Sequence, residues 1–428
     1  MGPNAIAEPA VAWQARCAPV IDQRMRRSLK ILIVNTLYPP DIMGGAEVSV
    51  SLLAEAFMRN GHHVAVVSLQ KAGDVSVGDR NGIRTYRVQI DNAYWPFGQD
   101  RKPPRLDRLR WHLRDTWNRR AAKRFGAILD TEKPDVVHTN NLTGFSVSLW
   151  AEAERRNIRI VHTLRDYSLI CKRSTLFSKG ATCEQRCLSC STMTLPHLYA
   201  SRMVDAVVSN SQYVLDRHLK LGFFPDVPHK VIYNIADSSV RPAPPSSDAD
   251  MTFGFIGRIE PEKGIDVVLK AVSLLPAHGW QLKIAGKGLE AYEHELRRRY
   301  DNPKIKWLGF VKSAEFYSGV DVCLISSVWP EPLPRTLIES INAGRATICS
   351  TAGGIPEISH FSTSLGSYEP SDFHGLAELM KQAISEAPKW KKAFPPRPEF
   401  SASFTPEAVT RQYLDVYLEG TLNTDGDR

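Results

Sequence analysis

The chain has 428 residues, of which 43% are hydrophobic and 23% charged, and a formal net charge of +8. That length exceeds one ordinary hydrophobic core, so two domains are expected, and the composition excludes a disordered or fibrous chain. No window is long and apolar enough for a membrane-spanning helix, and the opening MGPNAIAEPAVAWQARCAPVIDQRMRRS lacks the basic start and continuous apolar stretch of a signal peptide.

In chain order, residues 1–28 read as a flexible extension, with Met25 standing as an alternative start. ILIVN (31–35) is a short buried strand, followed by a helix from Glu47 to Asn60 that Asn60-Gly61 ends, and by the strand VAVVS (64–68). Residues 101–124, RKPPRLDRLRWHLRDTWNRRAAKR, hold eight Arg and two Lys against Asp107 and Asp115, so the whole net charge resides in this segment. Leu106, Leu109, Leu113 and Trp117 recur at helical spacing, which predicts an amphipathic basic helix. Two readings stand for it. It faces an anionic membrane surface or acceptor, or it docks by its apolar stripe and leaves a solvated basic face. No helix-turn-helix, finger or RNA-binding signature accompanies the charge, so no nucleic-acid partner is expected.

DVVH (135–138), IRIVHT (158–163), AVVSNS (206–211) and KVIYN (230–234) are further strands. Short apolar strands separated by helices predict a parallel sheet covered on both faces. Within this half lie Cys171, Cys183, Cys187 and Cys190, ending in C-x3-C-x2-C. Four thiolates can hold a structural zinc tetrahedrally, although the first interval is long for such a site. The other reading is four reduced thiols packed separately.

RPAPPSSDAD (241–250) is Pro- and Ser-rich without an apolar period and reads as a linker. After it the alternation restarts with FGFIG (253–257), a helix over IDVVLKAVSLLP (265–276), LKIAG (282–286), IKWLG (305–309), DVCLIS (321–326) and ATICS (346–350). FTPEAVTRQYLDVYLEG (404–420) is a terminal helix with Pro406 near its first turn. The expected architecture is α/β: two doubly wound, Rossmann-like domains, 29–240 and 251–403, facing each other across a cleft. In such sheets ligands bind beyond the carboxyl ends of the strands.

Three stretches stand where that cleft would be. In PPDIMGGAEVS (39–49), Gly44 and Gly45 open a helix and allow close backbone approach, or form a plain tight turn. The pattern is not the G-x-G-x-x-G of dinucleotide enzymes. In GFIGRIEPEKG (254–264), Arg258 and Lys263 flank a turn and can reach one diphosphate, or are ordinary cations offset by Glu260 and Glu262. In EPLPRTLIES (331–340), Glu331 ends a loop and Glu339 lies on the first or second turn of a helix that begins near Pro334. A helix start suits phosphate and carboxylates suit sugar hydroxyls; a capping carboxylate with an exposed one is the plainer reading.

Taken together, GFIGRIEPEKGIDVVLKA, the two glutamates, the AGGIPEI that follows, and the earlier GGAE, PDVVHTNNLTG and VIYNIAD resemble glycosyltransferase family 4, retaining sugar transferases of the GT-B fold, over roughly residues 29–420. The Cys-bearing loop resembles one subgroup. The resemblance implies a nucleotide-diphosphate sugar donor held mainly by the second domain, and catalysis without a metal. Arg258 and Lys263 would grip the diphosphate, Glu339 the ribose and Glu331 the transferred sugar. Phe310 and Val311 would meet the base, and Gly44 and Gly45 would lie under the donor. His138, His162, Arg165 and Asp166 would stand on the acceptor side. The implied product is a surface polysaccharide or lipid-linked glycan; the basic 101–124 segment favours a cytoplasmic protein peripheral on the inner face of the membrane, and a soluble small-molecule acceptor is the alternative. The chain departs from the family pattern at Arg165, where His usually precedes the Asp, and at Pro334, where Gly is more frequent. The first departure keeps a second reading open, a catalytically inactive nucleotide-sugar-binding member of an assembly complex.

Overall fold

The computed structural model describes residues 27–98, 103–242, 244 and 246–419. Most of the 1–28 extension therefore lies outside the described residues, as do the end of the chain and the first two cations of the 101–124 segment. The strands in chain order are β1 (Lys30–Val34), β2 (His63–Gln70), β3 (Ser76–Arg80), β4 (Ile83–Gln89), β5 (Val136–Thr139), β6 (Arg159–Leu164), β7 (Phe177–Ser178), β8 (Ala181–Thr182), β9 (Ala206–Ser209), β10 (His229–Val231), β11 (Met251–Ile256), β12 (Trp280–Ala285), β13 (Ile305–Gly309), β14 (Val322–Ile325), β15 (Ala346–Ser350) and β16 (Ser364–Tyr368).

Two sheets result. The first runs β10-β9-β6-β5-β1-β2-β4-β3 and the second β13-β12-β11-β14-β15-β16. Every pairing in both is parallel except the edge hairpin of β3 with β4, which pair antiparallel. The cause is in the strands: β1 carries the run Ile31–Val34, and β5 begins with Val136 and Val137, all buried on both faces, as a helix-covered parallel sheet requires. Strand order reverses about β1 in one sheet and β11 in the other, so loops leaving their carboxyl ends part and open a crevice.

The chain crosses into the second domain through 232–250. The described residues of that stretch are fastened: Arg345 donates to the Pro244 carbonyl at 2.6 Å, and Ser246 N donates to Asp321 at 3.0 Å. The Pro406–Leu418 helix returns and buries Val409, Tyr413, Leu414, Val416 and Tyr417 with Ile31, Ile33, Val161 and Val208 of the first sheet. Its Tyr417 hydroxyl bonds His138 Nδ1 at 2.7 Å.

The basic segment differs from the single helix expected. It forms two, Arg105–Thr116 and Arg119–Glu132, broken where Asn118 accepts from Ala121 N at 3.2 Å and so caps the second. Nor does its leucine stripe dock. Trp111, buried, holds the first helix by donating Nε1–H to the Tyr94 carbonyl at 3.1 Å, while Leu106, Leu109 and Leu113 are exposed. No helix among the described residues is long and apolar enough to cross a membrane.

Candidate active site

The carboxyl-end loops of β11, β14 and β15 meet in one place. Gly264 makes this possible: at φ +75 its position leaves no room for a side chain, since a Cβ would come within 1.8 Å of the Ser326 carbonyl. The β11 loop therefore lies directly on the β14 loop, and Lys263 Nζ sits 2.6 Å from Glu331 Oε2. The same oxygen accepts from Ser327 Oγ at 2.8 Å and Trp329 Nε1 at 2.7 Å. Burial pushes the Glu331 carboxyl up, but Lys263 and those two donors outweigh it and hold the group below the usual Glu range. Because all three bonds fall on Oε2, Glu331 Oε1 remains without a hydrogen-bond partner among the described residues.

Eight residues on, buried Glu339 lies on the Arg335–Asn342 helix and accepts from Arg335 Nη2 at 3.0 Å. Tyr317 OH reaches its other oxygen at 3.5 Å. Arg335 also donates to Ser49 Oγ of the first domain at 3.3 Å, and its aliphatic stem lies over Gly45. The donor helix and the Gly-Gly helix thus touch across the cleft. Gly44 and Gly45 do open a helix, Gly45–Arg59, but its own Glu47 fills part of that start by accepting from Gly44 N at 2.9 Å. Arg258 reaches Glu260 at 2.7 Å and lies near enough to Glu47 for its charge to be felt there. Phe310 is 78% exposed just past β13, with Val311 half-buried beside it.

On the first domain, Arg165 Nε donates to Asn140 Oδ1 at 2.7 Å and Nη1 bonds Asn234. Asp166 accepts from Asn141 Nδ2 at 2.5 Å and Ser168 N at 2.8 Å. These two residues stand with Asn140 and Asn141 at the carboxyl ends of β5 and β6. His138 and His162 do not join them. Both are buried within the strands: His138 Nε2 bonds Thr163 at 2.7 Å and His162 Nδ1 bonds Thr139 at 2.9 Å. Burial drives His138 well below the usual imidazole range and His162 down to about 3, so both are neutral packing groups.

The loop after β6 carries the cysteines, all free; Cys171 and Cys190 are buried, Cys183 half-buried and Cys187 exposed. Ser189 and the Cys190 N–H stabilise the Cys187 thiolate and bring its pKa to about 7, while burial lifts Cys190 to about 12. Among the described residues no three His, Cys, Asp or Glu side chains are drawn together as a metal centre would require, so the zinc reading finds no preformed site. Between this loop and the Arg105–Thr116 helix lies a cavity of about 40 Å³, lined by Trp111, Asp115, Thr143, Ser168, Lys172 and His197 among others. Burial raises Asp115 there to about 7 against one opposing bond from Gly144 N–H.

Sequence reasoning missed Arg335, Ser327 and Trp329. Arg335 and Glu339 form an i, i+4 pair whose spacing was readable. The Ser327 and Trp329 bonds depend on a loop conformation that no local pattern announces.

Two doubly wound domains with cations and carboxylates converging on the cleft between them define a GT-B glycosyltransferase. Residues 44–234 match the glycosyl transferase 4-like domain and residues 250–386 match the glycosyl transferases group 1 model, and the chain belongs to this family. An uncharacterized 42.6 kDa protein in the cps region of Klebsiella pneumoniae is 32% identical over 91% of this chain and 100% of its own length. An uncharacterized glycosyltransferase of Methanocaldococcus jannaschii is 26% identical over 77% of this chain and 82% of its own. In structure the chain resembles Anabaena HepE, solved with UDP and glucose (TM-score 0.67, 19% identity, 91% of this chain and 99% of that one). It also resembles a sucrose-phosphate synthase from Thermosynechococcus elongatus (TM-score 0.70, 20% identity, 91% and 98%).

Proposed function

We propose that the protein is a retaining transferase that moves a sugar from a nucleoside diphosphate to a hydroxyl of a surface polysaccharide or lipid-linked glycan under assembly. The observation that carries this reading is the Lys263–Glu331 pair, with one carboxylate oxygen saturated and the other without a partner among the described residues. Lys263 and Arg258 meet the diphosphate charge as the glycosidic bond breaks, without a metal. Glu331 Oε1 takes a hydroxyl of the sugar, and Glu339 takes the ribose once Arg335 shares it. The acceptor hydroxyl, on the Asp166 side, attacks from the face the nucleotide leaves, and a diphosphate oxygen takes its proton. The Klebsiella relative in a cps region supports the polysaccharide assignment.

Thermal unfolding with UDP, GDP, ADP and their sugars tests the donor, since a bound ligand raises stability by mass action. Glu339→Ala should then lose the nucleotide's shift, whereas Glu331→Ala should keep the bare nucleotide's shift and lose transfer. Wild-type shifts and wild-type transfer in both variants would sink the assignment.

A further inference from the structure

The leucines of the basic helix have no role in the donor site, and the fold has turned them outward. On the Arg105–Thr116 helix, Trp111 and Asp115 face inward, while Leu106 (69% exposed), Leu109 (44%) and Leu113 (60%) form a stripe on the opposite side at helical spacing. Arg105, Arg110 and Arg114 border that stripe. This helix packs against Leu188–Met193 of the Cys-bearing loop, with Thr116 Oγ1 within 3.5 Å of the Met193 carbonyl. The loop adds Leu188 (82% exposed), Leu195 and Tyr199 (61%). Seven of the fifteen strongly exposed large apolar side chains among the described residues, Trp117 included, are thus on this helix, the residue that ends it, and the two short helices Leu188–Met193 and Leu195–Ala200 of the loop. That concentration is what distinguishes a docking face from scattered surface leucines.

The charge selects the occupant. Arg105, Arg108, Arg114, Arg119, Arg120 and Lys123 are exposed and make no ion pair among the described residues; Arg110 meets Asp107 at 3.7 Å and Arg124 meets Asp91 at 3.2 Å. A second copy of this chain would set these charges against themselves. We propose that this face is a docking surface for an anionic lipid bilayer, the leucine stripe lying in the headgroup region and the arginines on lipid phosphates. The loops bearing Thr143, Ser168 and Lys172 share a cavity with the same helix, so docking would bring the acceptor side of the cleft against the lipid. The surface does not depend on the donor site, and its test uses neither donor nor turnover, so each proposal can fail alone.

The test is co-sedimentation of the full chain with phosphatidylcholine vesicles, with or without phosphatidylglycerol. Binding is expected only where phosphatidylglycerol is present, and it should weaken as salt screens the arginines. Arg105→Gln with Arg108→Gln and Arg114→Gln should weaken it by about fivefold per arginine. Leu106→Gln with Leu113→Gln should weaken it by at least about tenfold. All five positions are exposed, so an unchanged unfolding temperature serves as the folding control. Absent binding, equal binding to both vesicles, or binding that survives either set of substitutions overturns the proposal. So does a concentration-dependent dimer that the leucine variant dissolves.

Discussion

Removing Lys263 separates its two tasks, balancing a buried carboxylate and binding the donor. At 2.6 Å the Lys263–Glu331 attraction has a ceiling of about 6 kcal/mol for an effective dielectric near 20. Net of desolvation, breaking a buried pair from one side costs about 3–5 kcal/mol. The lower end applies here, because the Lys263 side chain keeps 21% of its exposure. Lys263→Ala should therefore destabilise the protein by ~3 kcal/mol at neutral pH. The pH dependence should also reverse. In the wild type the folded Glu331 pKa lies below its unfolded value, so its contribution is present above the usual Glu pKa and is lost as pH falls through the folded value. Without Lys263 burial dominates, the folded pKa rises above the unfolded one, and the variant should regain stability on acidification to about pH 5. Adding Glu331→Gln removes the stranded charge and should restore most of the lost stability. Nucleotide affinity should not return with it, since a lost charged hydrogen bond to phosphate is worth about 1.5–3 kcal/mol, or roughly 10–150-fold in Kd. Urea unfolding and calorimetric titration of the four proteins complete the cycle. A double variant no more stable than Lys263→Ala would refute the electrostatic argument. Wild-type nucleotide affinity in Lys263→Ala would refute the donor role.

Two other outcomes follow from the same geometry. Gly353→Ala places a Cβ 2.3 Å from the Glu331 carbonyl and 2.5 Å from its nitrogen at φ +59, whereas Gly45→Ala meets only the flexible stem of Arg335 at 2.9 Å. The first should cost at least about 3 kcal/mol and the second under about 1, and similar melting temperatures would contradict this. On the acid side, burial holds His162 at about 3 and His218 at about 4, so the unfolded chain binds more protons below the usual imidazole pKa. Each should then cost ~2 kcal/mol between about pH 6.5 and 5. Asp115, raised to about 7, works the other way, losing its contribution as pH rises toward that value, so Asp115→Asn should steepen the acid loss. A urea midpoint that stays flat over that range in both proteins would count against the buried histidines.

Central strands were legible where parallel strands buried on both faces leave continuous apolar runs, as in β1 and β14. Of the two sheets' four edge strands, β10 and β13 were legible as KVIYN and IKWLG, but β3 and β16 were not. SVGDR (β3) and SLGSY (β16) carry no such run, since an edge has one neighbour and needs less apolar surface. The resemblance placed His138 and His162 on the acceptor side, but both lie inside strands. A polar residue inside a doubly buried strand is a core residue unless it stands at the carboxyl end, where Arg165 and Asp166 are. The basic segment was legible in charge but not in orientation. Trp111, within the same wheel as the leucines, took the inward face, and periodicity alone does not say which apolar side chain a neighbour will bury.

The donor-site carboxylates of the second domain are also positioned by the first. Glu331 follows Pro330, whose carbonyl accepts from Tyr167 of the first domain at 2.6 Å. Glu357, in the AGGIPEI stretch lying on the Glu331 backbone, accepts from Gln212 N and Tyr213 N, both at 2.7 Å, at the start of a first-domain helix. Arg335 reaches Ser49 on a third line. These contacts act on the backbone and helix that carry Glu331 and Glu339, so the relative placement of the domains and the placement of the two carboxylates are one mechanical problem. A substitution in the first domain at Tyr167 can disturb the sugar-binding carboxylate without touching donor. The loop 327–335 therefore acts as the joint of the cleft as well as half of its chemistry.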